Sequence, residues 1–404
     1  MSGFTARVDR GQSATMSVVD GDLLIDGGTV GADGGTVEVK GAVVVRHRGV
    51  VKGNLKAEDI KGDGTLTIEG DLEAEDIHLD DGASLEVGGN LNSESVDIPR
   101  SLKVGGKSKI EDLRVGGEAE FVGDAEVEDA HVGGVLRAAG KITGEDVMVG
   151  GTIEVKEMKC EDVKVGGTLK AERIEAEDVK VGGTVAITVE ATIEDLDVGG
   201  TARVAKGTLQ DARVGGTMES EGPLKFEDLD VGGKLRLDSG IGKSVRVGGV
   251  LEVQHDLTLS DRLTVGGEAR VGGKLEAGSI DVGGDLQADV VRAHDAVKVG
   301  RSMVTGKGVK APFVSVGRHG RVTGPMVGEK IRIESGSSVE DVYAEDVRVG
   351  ESCSVGSIYA SNAEVGDSCR IAGRLLYTND VRIGRNVHLS SQPEKVSSLP
   401  GPPL

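Results

Sequence analysis

The stretch EDVKVGGTLKAERIEAEDVKVGG, Glu161 to Gly183, decides the fold. Its first seven residues return as its last seven, 16 positions later. The copied unit extends far beyond this stretch. An apolar-x-apolar pair, usually followed by Gly, recurs along most of the chain. Its second apolar residue is Leu79, Ile98, Val115, Val132, Val149, Val165, Val181, Val198, Val214, Val231, Val247, Val265, Val282, Val299, Val316, Ile333, Val349, Val365 and Ile383. All but one of the steps between these anchors are 16 to 18 residues long, the exception being the 19 before Ile98. Weaker matches continue upstream through Ile60 and Val45. A fixed period of this length marks a solenoid, in which each copy buries its apolar face against the next.

Strand, not helix, fits the unit. It is rich in Val, Thr and Gly and alternates apolar with polar, which suits a pleated surface. In the turn that begins at Val165, the inward candidates are Val163 and Val165, Leu169 and Ala171, Ile174 and Ala176, Val179 and Val181. Each pair is i, i+2 and faces one side of a strand. Three short strands and three corners therefore make a turn. The fold class is all-β: a single-stranded, three-sided parallel β-helix with about 17 residues per turn. Roughly 21 turns at about 4.8 Å each make a rod on the order of 100 Å long. The glycines of VGG are expected at corners, where positive φ is tolerated.

Composition agrees. Of 404 residues 65 are Gly, aromatics are 2%, and Trp is absent. Most cores take their bulk from large rings; a narrow one has room only for Val, Leu, Ile and Ala. The net charge of −21 argues against nucleic acid, whose phosphates call for Lys and Arg, and against adsorption to an anionic membrane. A uniformly acidic rod repels its neighbours, so salt or divalent cations are expected to promote lateral bundling by screening. No run of 18 apolar residues and no signal-peptide core is visible, so neither a membrane span nor export is expected. Three cysteines, Cys160, Cys353 and Cys369, are too few for a disulfide scaffold, which points to the cytoplasm.

The register divides the chain. Residues 1–41 fit it poorly and read as an N-terminal tail and capping region. Residues 42–305 carry VGG-style repeats. Residues 306–389 continue the register in a second style, with VG or IE at the anchors. Residues 390–404 hold four of the eight prolines; they cannot pair inside a sheet and read as a disordered tail.

Few residues suggest chemistry. Glu-Asp pairs precede many anchors, among them Glu145-Asp146, Glu161-Asp162 and Glu177-Asp178, and stack into an acidic column. The calcium-solenoid pattern is absent, so these aspartates are expected to bond local backbone, with Lys164, Lys180, Arg213 and Arg246 offsetting repulsion. Tyr343, Tyr359 and Tyr377 each lie six residues before an anchor and are expected to stack outward in three consecutive turns. They form either a stabilising ladder or a contact stripe for a partner. Cys353 and Cys369, 16 apart, are expected to be buried small side chains. The seven histidines share no register, and no GxSxG, Walker loop or HExxH occurs.

One segment carries a family resemblance. SVGRHGRVTGPMVGEKIRIESGSSVEDVYAEDVRVGESCSVGSIYASNAEVGDSCRIAG, Ser315 to Gly373, resembles the bactofilins, the polymer-forming cytoskeletal proteins of prokaryotes. The region from Leu79 to Val299 keeps the same turn length in a more stylised form. The resemblance implies a right-handed β-helix whose copies stack end to end into filaments without nucleotide, in the service of cell shape or organisation. It also implies Pro-containing tails, matched here by Pro393 to Pro403. Some members attach to the inner face of the membrane through a short apolar N-terminal segment. Only Phe4 hints at one here, and membrane association stays open. The chain is far longer than a typical member, which admits a rod-like scaffold as well as a filament.

The expected partner is therefore a second copy of the chain, with protein partners at the tails or the tyrosines. No catalytic group, cofactor or metal is expected. The competing class is a β-helix enzyme such as a hexapeptide-repeat acyltransferase. That class keeps a stricter 18-residue turn, a protruding loop and an interfacial His, whereas steps of 16 and 17 dominate here. A secreted adhesin or lyase would call for a signal peptide.

Overall fold

The structure is a computed structural model that describes residues 4–80 and 82–403. Strands run from Ala6–Asp9 to Glu394–Lys395, with no helix among the described residues. None is therefore long and apolar enough to cross a membrane. The chain divides into two compact units, Met1–Ala205 and Lys206–Leu404. Each is a parallel β-solenoid of about 17 residues per turn, and the two together hold about 23 turns.

The strand Thr168–Val181 shows why the sequence coils this way. It pairs in parallel with Thr152–Val165 in three blocks: Thr152–Val155 with Thr168–Ala171, Glu157–Cys160 with Arg173–Ala176, and Asp162–Val165 with Asp178–Val181. These blocks are the first, second and third faces of the turn, and the third carries the anchors. Single residues, Glu172 and Glu177, bend the chain between faces, and Gly166 and Gly167 close the last corner. All eight inward candidates of this turn are buried, from Leu169 at 0% to Ala176 at 7% exposure. Each Val, Leu or Ile so buried contributes about 1.5–3 kcal/mol against an exposed reference. Differences in turn length are absorbed at corners. Ala171 pairs with Ile187 but Arg173 pairs with Glu190, so one extra residue slips in there without turning any strand over.

The corner glycines answer a constraint other than the expected one. Those of the VGG corners keep negative or extended φ. They are needed because turns approach too closely for a side chain. A Cβ on Gly166 lies 2.2 Å from the carbonyl oxygen of Gly150, and one on Gly182 lies 2.5 Å from that of Gly166. The same close approach lets Gly166 N–H donate to Val149 O at 2.9 Å and Gly167 N–H to Gly151 O at 3.0 Å. In the second corner style positive φ does occur, at His319, Gly336, Ser352, Ser368 and Asn386.

Each of the two core phenylalanines has a small residue one turn on. Phe121 is 1% exposed, and its counterpart one turn on is Ala138. Phe226 lies against Gly242, where a Cβ falls 2.1 Å from the ring. On the outside, charge alternates from turn to turn. The first face reads Glu86, Lys103, Glu120, Arg137, Glu154, Lys170 in register. Ion pairs follow, such as Lys103–Glu120 at 3.1 Å. The second face places Lys56 on Glu73 at 2.7 Å and Lys159 on Glu175 at 2.8 Å. Exposed pairs of this kind stabilise little, but alternation avoids like charges directly opposite each other.

Both ends depart from expectation. Residues 6–41 are not a tail: Ala6–Asp9 pairs with Leu23–Asp26, and Leu23–Asp26 pairs with Val43–Arg46. Val8, Leu23, Ile25, Val30 and Val37 are buried. Ile25 and Val45 are partners 20 residues apart, a step outside the 16-to-18 pattern, which hid these turns and accounts for the higher turn number. At the other end Glu394–Lys395 pairs with Leu376 and Tyr377. Val396 N–H donates to Tyr377 O at 2.9 Å, so this part of residues 390–404 extends the coil between its prolines.

Gly166→Ala is expected to lower stability by about 1–3 kcal/mol, the usual penalty of overpacking, in urea unfolding followed by circular dichroism. The exposed control Lys170→Ala is expected to shift it by less than about 0.5 kcal/mol. Equal midpoints for the two variants contradict the close-approach explanation.

Candidate functional site

The tyrosines stand on the second face of the second unit. Tyr343 and Tyr359 are in register, and their rings stack with centroids 4.6 Å apart and planes inclined by 19°. Tyr377 does not join them. Tyr359 pairs with Leu376, and Ala360 pairs with Tyr377. The spacing to the next anchor is the same for all three tyrosines, but a bulge between Tyr377 and Asp380 breaks the count. Leu375 takes the inward place of Ile358, and half-buried Tyr377 follows Ala360 in the inward lane. The outward lane therefore reads Val327, Tyr343, Tyr359, Leu376. The two aliphatic members are each 9% exposed although they point out. The rings thus sit within a four-turn apolar stripe. Burial, then the neighbouring Tyr359 and Asp341, raises the Tyr343 phenol above its ordinary pKa.

The cysteines lie inside, as expected, with polar contacts that spacing alone did not show. Ser337, Cys353 and Cys369 follow the positive-φ corner residues of three successive turns and are 1–2% exposed. Ser337 Oγ lies 2.7 Å from Glu334 O. Cys353 Sγ–H donates to Glu334 O at 3.3 Å and Cys369 Sγ–H to Gly350 O at 3.0 Å. Small donors at this place satisfy corner carbonyls that the ladder leaves open. In the first unit burial pushes the Cys160 thiol up to about 12.

The acidic corner separates into two columns. The aspartates stack turn on turn, as in Asp146, Asp162, Asp178 and Asp195. Four of the column face cations two residues along, not local backbone: Asp59 with Lys61 at 3.7 Å, Asp112 with Arg114 at 3.8 Å, Asp162 with Lys164 at 3.3 Å and Asp178 with Lys180 at 3.6 Å. Asp146 lacks this partner because Met148 occupies the cation's place, and its Oδ1 is buried without a hydrogen bond. The glutamates Glu58, Glu75, Glu94, Glu111, Glu128, Glu145, Glu161, Glu177 and Glu194 are all exposed at the same corner. None is in an ion pair among the described residues. Backbone is bonded instead by residues that the sequence marks as Gly-Asn-Leu or Gly-Asp-Leu. Asn54 Oδ1 accepts Asp71 N–H at 2.8 Å, Asp71 Oδ1 accepts Asn90 N–H at 2.7 Å, and Asn90 Oδ1 accepts Lys107 N–H at 2.8 Å. Among the described residues no three His, Cys, Asp or Glu side chains converge as a metal site.

Two outcomes follow. The native protein is expected to show no fast-reacting thiol at pH 8, whereas protein in guanidine shows all 3 cysteines; a rapidly modified native thiol contradicts the buried placement. Tyr359→Ser is expected to return the Tyr343 phenol toward its ordinary pKa in an ultraviolet titration. If the stripe only stabilises the sheet, assembly and partner binding stay unchanged; loss of either assigns it a contact role.

No protein-family model, curated protein or solved structure matches the chain.

Proposed function

We propose that the chain is a non-catalytic structural protein of the bactofilin kind, whose copies add end to end into filaments without nucleotide. The β-solenoid fold is compatible with a structural or scaffold role. The finer proposal draws on the phase of the terminal strands. Ala6–Asp9 lies on the third face, since Val8 is in register with Ile25, Ile25 with Val45, and Val45 with Gly62 and so with the anchor Leu79. At the far end Val381–Ile383 pairs with Ala363–Val365 on the same face, and no strand among the described residues pairs with its other side. The strand that follows, His388–Leu389, covers the first face, and Glu394–Lys395 covers the second. The next position in the coil is the open third face, and Ala6–Asp9 of another copy has the pattern to fill it. Ile383 is 38% exposed there, unlike earlier anchors such as Val365, which is 2% exposed. An unpaired edge of this kind recruits strand.

The proposed setting is the cytoplasm, where the three unbridged cysteines stay reduced. Electron microscopy of the purified full chain, with no nucleotide added, is expected to show filaments. Ile383→Lys places a charge on the open inward lane and is expected to leave separate particles with unchanged β circular dichroism. Discrete particles from the unaltered chain at every concentration and salt overturn the proposal.

A further inference from the structure

The negative charge of the chain is not spread evenly. From Ala296 to Gly328 there are 33 residues without one Asp or Glu, and six Lys or Arg: Lys298, Arg301, Lys307, Lys310, Arg318 and Arg321. All six are exposed. Arg301 pairs with Asp285 at 2.9 Å and Lys307 with Asp289 at 2.9 Å. The other four have no ion-pair partner among the described residues. The topology gathers cations at one corner of the second unit, between its third and first faces. Lys298 leads into the corner of one turn, and Arg301 lies on it. One turn on, Gly317 N–H bonds Val299 O at 2.8 Å and brings Arg318 to the same corner. Arg321 N–H bonds Arg301 O at 3.0 Å, which sets the two arginines in adjacent turns. Four cations thus meet on two turns of a chain with net charge −21.

The first unit carries the opposite feature. On its first and second faces the outward lanes alternate in sign, and several of the stacked aspartates of the third face meet a cation two residues along; the nine corner glutamates from Glu58 to Glu194 have neither arrangement. They repeat once per turn, about 4.8 Å apart, and have no ion-pair partner among the described residues. Like charges so placed destabilise a sheet, and the corner has no structural need for a carboxylate. Sequences that alternate charge on two faces and hold it constant on a corner keep an electrostatic strip that only an outside cation can neutralise.

We infer that copies of the chain associate side by side, with the arginine-rich corner of the second unit of one copy docked on the glutamate strip of the first unit of another. The strip presents equivalent positions turn after turn, so the contact tolerates stagger. It needs no end-to-end addition and stands apart from the filament proposal. It reverses the salt dependence expected for a uniformly acidic rod: low salt favours the contact and high salt dissolves it, because exposed pairs are screened within a Debye length of about 10 Å at 0.1 M.

Mass per unit length, measured by scanning transmission electron microscopy on the full chain, reads lateral pairing independently of particle length. Sedimentation at matched concentrations gives the apparent affinity. Raising salt from about 50 to about 300 mM is expected to weaken pairing by about tenfold or more, as for contacts steered by charge. Arg318→Glu with Arg321→Glu abolishes pairing, as does Glu128→Lys with Glu145→Lys and Glu161→Lys. A mixture of the two variants restores it, since each then offers the sign the other needs. Pairing that grows with salt, or that survives both reversals, or a mixture that fails to recover, overturns the inference. Binding of the unaltered chain to phosphatidylserine vesicles at a salt where copies show no pairing also overturns it, and hands the basic corner to a lipid surface.

Discussion

Everything in this molecule follows from the hydrogen bond that a residue makes to the residue one turn away. That bond holds successive turns about 4.8 Å apart, so each side chain has a fixed neighbour above and below. The composition then becomes a set of local rules. Two valines fit at the anchor, a phenylalanine has alanine or glycine on one side, and a corner carbonyl leaves no room for a Cβ one turn on. A core this narrow gains its stability from length, not girth. The aliphatic residues are modest one by one, and their sum is spread evenly, turn by turn, with each turn coupled mainly to its neighbours.

How much of this was legible depends on which rule a residue obeys. The inward positions of the Val165 turn were plain because period-two alternation and the repeat agree at every strand. The corner glycines are visible in the sequence but their reason is not: sequence shows that a side chain is absent, whereas only the stacked backbone shows that a carbonyl oxygen fills its space. Spacing from one anchor puts Tyr377 in the outward lane because it cannot reveal a bulge between the two. The turns before Gly41 are not legible because a 20-residue step hides a register that hydrogen bonds nevertheless keep. The backbone-bonding residues Asn54, Asp71 and Asn90 did have a signal, the Gly-Asn-Leu and Gly-Asp-Leu triplets. It was obscured by the more conspicuous Glu-Asp pairs, whose aspartates answer to cations on their own strand.

Charge on the surface obeys two policies. On the first and second faces signs alternate from turn to turn, and on the third several aspartates are answered by cations along the strand. At one corner and on one pair of turns, a single sign is kept. Net charge alone suggests a uniformly repulsive body, and that impression disappears once each charge is assigned a height along the coil. The apolar stripe around Tyr343 and Tyr359 adds a third surface character, set among ordinary polar corners. A solenoid can be a differentiated surface, because position along the coil serves as an address.

The slack at the corners has a consequence for how such a chain changes over generations. A residue gained between Ala171 and Arg173 alters the path of one bend and leaves every strand facing as before. The same gain between Leu169 and Ala171 turns the remainder of that strand over and drives charge into the interior. Natural variation in length should therefore collect at the bends, and a coil built this way can lengthen by duplicating whole turns without redesign of the rest.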